Sequence, residues 1–240
     1  MASRVLVLWL EGPLQSWSQY ARFYYYPTFA YPGKAALWGI VFNAMGKTGN
    51  LIAECERIKS LKATVYGWSS PEGSVMEDYQ ACGNGWDADD PWEFQMIPKK
   101  IDGSMPTVSP GRCFRKEYLE DARFAVFLEI PSEWEDDIAK AMQHPARVSF
   151  LGRKCCMPSV PPFLGIGRDE KEAEEILSRF LEARSSLRNE QGDALFCVRD
   201  TDPNEDCEKE IFYQPDNPVN FSWPSKRTRR AVRLVLFDNL

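Results

Sequence analysis

The sequence predicts a mixed α+β fold, and three observations carry that reading. Stretches of strand-like alternation at 3–10, 60–68, 121–130 and 147–151 are interleaved with helical periodicity at about 34–46 and 133–143. Between 70 and 112 apolar periodicity is absent and Gly, Pro, Asn and Asp are frequent. A charged amphipathic stretch at about 169–188 is followed by three further strand-like segments at 194–199, 209–214 and 230–237. The order strand, helix, strand, insertion, strand, helix, strand is that of a ferredoxin-like βαββαβ core, interrupted by a protruding insertion and followed by a β-rich C-terminal lobe. The expected division is 1–150 for the core with its insertion at about 77–112, and 151–240 for a Gly/Pro-rich loop, a helix and the C-terminal lobe.

Each element has its own signal. Val5, Val7 and Trp9 mark a buried first strand, which Gly12-Pro13 breaks. An aromatic loop follows, with Trp17, Tyr20, Phe23, Tyr24, Tyr25, Tyr26, Phe29 and Tyr31. Pro32-Gly33 precede a helix with Leu37, Ile40, Val41, Ala44 and Met45 on one face and Gly46 as its stop. A short helix is expected at 51–58 and a strand at 60–68. A structureless stretch as long as 70–112 inside a domain marks a functional or protruding segment. Pro131-Ser132-Glu133 open a helix to about 143, and 147–151 are expected as a short strand before a Pro/Gly-rich loop to Gly167.

Composition narrows the classes. With 240 residues, 44% hydrophobic and 27% charged, the chain is neither disordered, collagenous nor a coiled coil. No apolar run approaches the roughly 18 residues of a membrane span, and the N-terminus reads as a strand rather than a signal peptide. Seven cysteines without a Cys-x-x-Cys pair suggest reduced thiols in a cytoplasmic protein. One histidine, His144, leaves no multi-histidine metal centre, and its place before Pro145 reads as a helix end. No catalytic, metal or cofactor motif is present.

The net charge of −6 hides an asymmetry. The windows 12–53, 103–116, 143–168 and 217–237 hold 15 of the 29 Lys and Arg and none of the 35 acids. Random placement would put about 15 acids there. Burial would exclude both signs, whereas a surface facing a polyanion excludes acids and keeps bases.

Five clusters fall in or beside these windows. Gln15, Ser16 and Trp17 follow the Gly-Pro turn, with Trp17 either a base-stacking indole or a core plug. Gly33-Lys34 open a helix whose first turn lacks an acid, either a phosphate cradle or a plain helix start. Gly152, Arg153 and Lys154 form a glycine turn with two cations, and the adjacent Cys155 and Cys156 read as small buried hydrophobes. Arg112, Arg115, Lys116 and Tyr118 read as a basic-aromatic clasp or a solvated charge run. Arg227 and Arg229 belong to five bases in eight residues, lining one strand face or solubilising an edge. Arg147, in the third window, completes the candidate set.

Four of the chain's stretches, in order, resemble the CasD family, the "Cas five" subunit of type I-E CRISPR Cascade. They are Leu8-Trp9-Leu10-Glu11-Gly12-Pro13-Leu14-Gln15-Ser16-Trp17; Tyr31-Pro32-Gly33-Lys34-Ala35-Ala36-Leu37-Trp38-Gly39-Ile40; Arg115-Lys116-Glu117-Tyr118-Leu119 leading into Phe124-Ala125-Val126; and Phe150-Leu151-Gly152-Arg153-Lys154-Cys155-Cys156 through Phe163-Leu164-Gly165. The chain departs from the family pattern at Gly33, where Thr is usual, and at Ser18, where Gly is usual. The resemblance implies a modified RRM-like fold with the insertion as a thumb. It implies a non-catalytic subunit that caps the 5′ handle of a CRISPR RNA, contacts the backbone and large subunits, and meets target DNA only through the complex. The competing expectations are a CRISPR RNA processing endoribonuclease, as in type I-C relatives, and an interaction module without RNA contact.

Overall fold

The computed structural model describes residues 3–18, 24–68, 74–82, 101–104, 112–188, 194–201, 211–221 and 226–237. Its centre is β1 (Ser3–Glu11), an apolar run buried on both faces. Such a strand needs cover on both sides, and two groups of helices provide it. On one side lie α1 (Lys34–Ala44), α2 (Ile52–Ile58) and α3 (Glu135–Gln143), packing Leu37, Trp38, Val41, Ile58 and Ile138 on Leu6, Leu8 and Leu10. On the other lies α4 (Glu170–Arg188), packing Ala173, Leu177, Ile176 and Phe180 on Val7 and Trp9. α1 is apolar nearly all round, because β12 (Ile211–Pro218) and α3 also pack against it.

The remaining long strands are β6 (Ala63–Gly67), β9 (Arg123–Pro131), β10 (Phe163–Gly167), β11 (Phe196–Asp200) and β13 (Arg227–Leu236). They form one seven-stranded sheet in the order β10-β1-β9-β6-β11-β13-β12, with every neighbouring pair antiparallel. The crossover from β1 to β6 passes through α1 and α2 and skips β9. The crossover from β9 to β10 passes through α3 and skips β1. The C-terminal strands extend this sheet across the expected boundary at residue 150 instead of packing beside it as a separate lobe.

Two expectations fail locally. Residues 147–151 form no strand; Leu151 donates its N–H to the Cys156 carbonyl at 2.7 Å and accepts from the Ser16 N–H at 3.1 Å, which makes a turn. The strand that pairs with β1 is instead Phe163–Gly167, inside the expected loop. Its glycines allow α4 close: a Cβ on Gly167 would lie 2.8 Å from the Ala173 nitrogen. The expected structureless stretch also contains β7 (Val75–Cys82), which pairs with β8 (Arg112–Glu120) as an antiparallel ribbon. Most of the expected thumb, 83–100 and 105–111, lies outside the described residues.

A buried ion network ties the far half of the sheet to α1. Asp216 accepts the Lys34 backbone N–H at the helix start (2.8 Å) and receives both Nε (2.5 Å) and Nη2 (2.9 Å) of Arg230. Arg230 also reaches Asp200 (2.5 Å), and Lys34 Nζ lies 4.0 Å from Asp200 while donating to the Lys59 carbonyl (3.0 Å). Burial lowers the Lys34 pKa from its ordinary value. The Tyr31 phenol, buried beside this network and donating to Gln214, is pushed up to about 12.

Two outcomes test the network. Asp216→Asn leaves Arg230 buried with one carboxylate fewer and is expected to cost about 3 kcal/mol in urea unfolding; Asp216→Asn with Arg230→Met is expected to recover much of the loss. The Tyr31 phenol keeps its proton in the native state to about pH 12, while the unfolded phenol releases it near 10. The native state therefore holds more protons between these values, and stability is expected to fall as pH rises through that window, less steeply in Tyr31→Phe.

Candidate nucleic-acid interface

In an RRM-like sheet the helix-free face stacks bases. Here that face is closed where β1 and β9 would offer it. Phe180 packs on Trp9 at 5.2 Å between ring centroids, and Ala125 and Phe127 lie in the same cluster as Ala173 and Leu177. At the edge of this helix Arg184 bonds Glu11 (2.6 Å), which also accepts the Trp9 indole N–H (2.7 Å). A nucleic-acid surface therefore has to lie away from β1 and β9.

Four of the candidate basic residues, Arg115, Lys116, Arg153 and Lys154, lie on or beside a small second sheet built on β8. β2 (Leu14–Gln15) and β7 pair with it antiparallel, and β4 (Tyr25–Tyr26) pairs with it in parallel. Because β8 is a strand, its charge run splits between two faces. Phe114, Lys116 and Tyr118 share one face with Tyr24 and Tyr26, whose rings lie 5.2 and 6.3 Å from Phe114. Arg153 reaches this face from the neighbouring loop. Its guanidinium stands 4.9 Å from the Tyr118 ring centre and 5.9 Å from that of Tyr26, and Nη2 donates to the Tyr26 carbonyl (3.1 Å). Lys154 next to it is exposed and makes no hydrogen bond or ion pair among the described residues. Lys116 donates to Gln80 (2.6 Å), which in turn bonds Asp78 (2.7 Å).

Arg115 lies on the opposite face, 3.6 Å from Glu77. Tyr25 stands beside it and donates to Glu117, whose other oxygen accepts the Thr28 N–H (3.0 Å). The clasp expected from the sequence thus divides: Lys116 and Tyr118 join Arg153, and Arg115 does not. The Arg112 side chain lies outside the description; its backbone pairs with Cys82.

The loop carrying Arg153 is held in place by close backbone approach. Gly152 has φ +89, and a Cβ there would lie 1.8 Å from the Ser16 carbonyl oxygen. No side chain fits that gap. Gln15, Ser16 and Trp17 form the floor beneath. Gln15 Nε2 donates to the Ala122 carbonyl (2.6 Å), Ser16 Oγ to the Glu117 carbonyl (2.9 Å), and Trp17 packs with no exposed surface. All three side chains are buried rather than displayed on the surface, and they position the loop. β3 (Trp17–Ser18) and β5 (Thr28–Phe29) pair to close the floor.

Four other candidates also lie away from this patch. The expected phosphate cradle at Lys34 is filled by the chain's own Asp216, and Lys34 is 2% exposed. Arg147 donates to the Gly46 (3.1 Å) and Lys47 (3.3 Å) carbonyls, closing the turn after α1. Arg227 and Arg229 are exposed on β13, apart from the Arg153 patch. Sequence reasoning left Tyr24, Tyr26 and Phe114 out of the set. The signal was present in their alternation, at positions 24 and 26 and again at 114, 116 and 118.

Burial pushes the Tyr118 phenol up, the bond to Glu117 raises Tyr25, and burial pushes the Cys156 thiol up to about 12. Among the described residues no group of three or more His, Cys, Asp and Glu could hold a metal ion.

The sequence profile of the family described as CRISPR-associated protein (Cas_Cas5) matches residues 5–235. The chain belongs to this family. Solved structures share its fold. A chain of a "CRISPR RNA-guided surveillance complex" superposes with a TM-score of 0.66 at 23% identity, covering 97% of this chain and 89% of that one. A second, a "Crystal structure of Cas protein", gives 0.60 at 22% identity, covering 97% and 94%. Among curated proteins none matches the sequence. No helix among the described residues is long and apolar enough to cross a membrane.

Gly152→Ala is expected to push the loop off the Ser16 carbonyl. It should lower the midpoint of thermal unfolding by several degrees, as a strained substitution costing about 2 kcal/mol would. Gly49→Ala, at a positive φ with no atom within 4 Å of the added carbon, is expected to cost less.

Proposed function

We propose that this member of the Cas5 family is a non-catalytic CRISPR RNA-binding subunit of a type I-E Cascade-like surveillance complex in the cytoplasm. In this reading it holds the 5′ handle of the guide and touches the backbone and large subunits, and target DNA is met through the complex. The observation that carries the reading is Arg153, fixed between the Tyr26 and Tyr118 rings beside the exposed Lys154. Aromatic faces and cations on one surface are the means by which single-stranded RNA is held: stacking for bases, charge for phosphates. The strand order β10-β1-β9-β6 with its two interleaved crossovers supports the ferredoxin-like reading of the core. The β7–β8 ribbon, whose two strands flank the insertion in sequence, supports the thumb reading.

The endoribonuclease alternative needs a base beside the 2′-hydroxyl. His144 closes α3, its N–H bonded to the Lys140 carbonyl (2.9 Å), and is not among the groups around Arg153.

Arg153→Ala with Lys154→Ala is expected to weaken binding of the guide RNA and to lower the slope of log affinity against log salt by about 1.4, at roughly 0.7 per lost single-strand contact. Lys34→Ala, changed inside the protein, is expected to leave that slope unchanged. A double variant with an unaltered slope refutes the assignment. A His144→Ala protein that binds RNA but no longer supports its maturation would establish the nuclease instead.

A further inference from the structure

Arg227 and Arg229 belong to a surface of their own. β13 alternates along its length, so pairing fixes which residues share a face. Val232 is opposite Asp200, and Arg230 bonds Asp200 and Asp216; these residues face α1. Arg227, Arg229, Ala231 and Arg233 therefore face the other way. Arg233 pairs with Arg199, Arg199 with Thr64, and Thr64 with Phe127, which is packed under α4. The seven-stranded sheet itself thus separates these arginines from the Lys34 network.

Arg227 and Arg229 are exposed and Arg233 is partly exposed, and none makes a side-chain hydrogen bond or ion pair among the described residues. Arg233 also stands directly opposite Arg199. Like charges directly opposite each other on a sheet destabilise it, and a bound anion would relieve that repulsion. Glu170 lies 3.9 Å from Arg199, whose Nη2 also donates to the Tyr66 hydroxyl (3.1 Å). Neither contact reaches β13. On the edge strand β12, Tyr213 pairs with Ala231 on this same face and is 60% exposed.

Alternate residues on a strand lie about 6.7 Å apart, so Arg227 to Arg233 is a track of about 20 Å. A line of guanidinium groups takes phosphates in succession, and an exposed ring beside it takes a base face. A duplex has no free base face to offer Tyr213; a single strand does. We propose that the β13 face, with Arg227, Arg229, Arg233 and Tyr213, is a second nucleic-acid surface that binds a single-stranded sugar-phosphate backbone and stacks one base. The inference does not depend on the Arg153 site.

The test uses the full chain carrying Arg153→Ala and Lys154→Ala, so that the first site does not contribute. Short fluorescent oligo(dT), oligo(U) and a duplex of equal length are the probes. Adding Arg227→Gln, Arg229→Gln and Arg233→Gln is expected to lower the single-strand salt slope by about 2. Tyr213→Ala is expected to weaken binding about tenfold with the slope retained, as loss of a stacked base would. Competition between oligo(dT) and oligo(U) identifies whether DNA or RNA is preferred. An unchanged slope in the triple variant, or a duplex that outcompetes both single strands, overturns the proposal. Photo-crosslinking of the unsubstituted chain to oligo(dT) gives a check that does not depend on variant folding. A crosslinked peptide containing Tyr213 is expected, and crosslinks confined to the segments around Tyr26 and Tyr118 overturn it.

Discussion

The carboxylate of Asp216 fixes the relation between the two halves of the sheet. It sits at the N-terminus of α1, where unpaired backbone N–H groups and the helix dipole favour an anion, and it accepts the Lys34 N–H there. The same group receives two bonds from Arg230, which also reaches Asp200 on the neighbouring strand. β11, β12, β13 and the first turn of α1 are thereby held by one connected set of charges. Gly33 is required by this arrangement, because a Cβ there would lie 2.7 Å from the Asp216 oxygen. Buried ions are costly unless nearly every donor and acceptor is used. Here the Arg230 guanidinium meets two carboxylates, and Lys34 is held by a carbonyl as well as by charge.

That network also explains where the fold can meet other molecules. With α1 sealed at its N-terminus by the chain's own carboxylate, the helix start offers nothing to a phosphate. With α4 packed on Val7, Trp9, Ala125 and Phe127, the centre of the opposite sheet face is closed as well. What remains open is peripheral: the small sheet around β8, and the outer strands of the large one. Both are places where a strand carries arginine or lysine on alternate residues and aromatic rings stand alongside.

Much of this organisation was legible in the sequence. The β1 run, the Pro-Gly start of α1, the β9 strand and the long amphipathic α4 each follow from local pattern and appear within a few residues of expectation. β10 was hidden because its Phe-Leu-Gly-Ile-Gly composition reads as loop, and its glycines have a meaning only once α4 lies against them. β7 and β8 were hidden because charged residues stand among the rings of the ribbon and blur its apolar alternation. The charge pattern misled in an instructive way. Lys34 and Arg230 lie in acid-free windows, yet both are buried against acids from elsewhere in the chain, Asp200 and Asp216. A one-dimensional window cannot see partners brought in by the sheet. Arg153 and Lys154 stand out in the sequence as a pair, but the rings that hold Arg153 come from positions far away in sequence.

The net charge of −6 is compatible with a locally cationic edge because solvent screens charges that are far from it. At physiological ionic strength charges are screened over about 8 Å. α4, with Glu174, Glu175 and Glu182 along it, packs over β10, β1 and β9. From β9 to β13 is three strand spacings, about 14 Å. Glu170, at the start of the helix, does reach the outer strands, and it is engaged by Arg199. The acidic helix therefore contributes to the overall charge of the molecule while leaving the local potential at Arg227 and Arg229 to the arginines themselves. A polyanion approaching that edge meets the nearby cations before it meets the net charge, because screening makes the nearest charges count most.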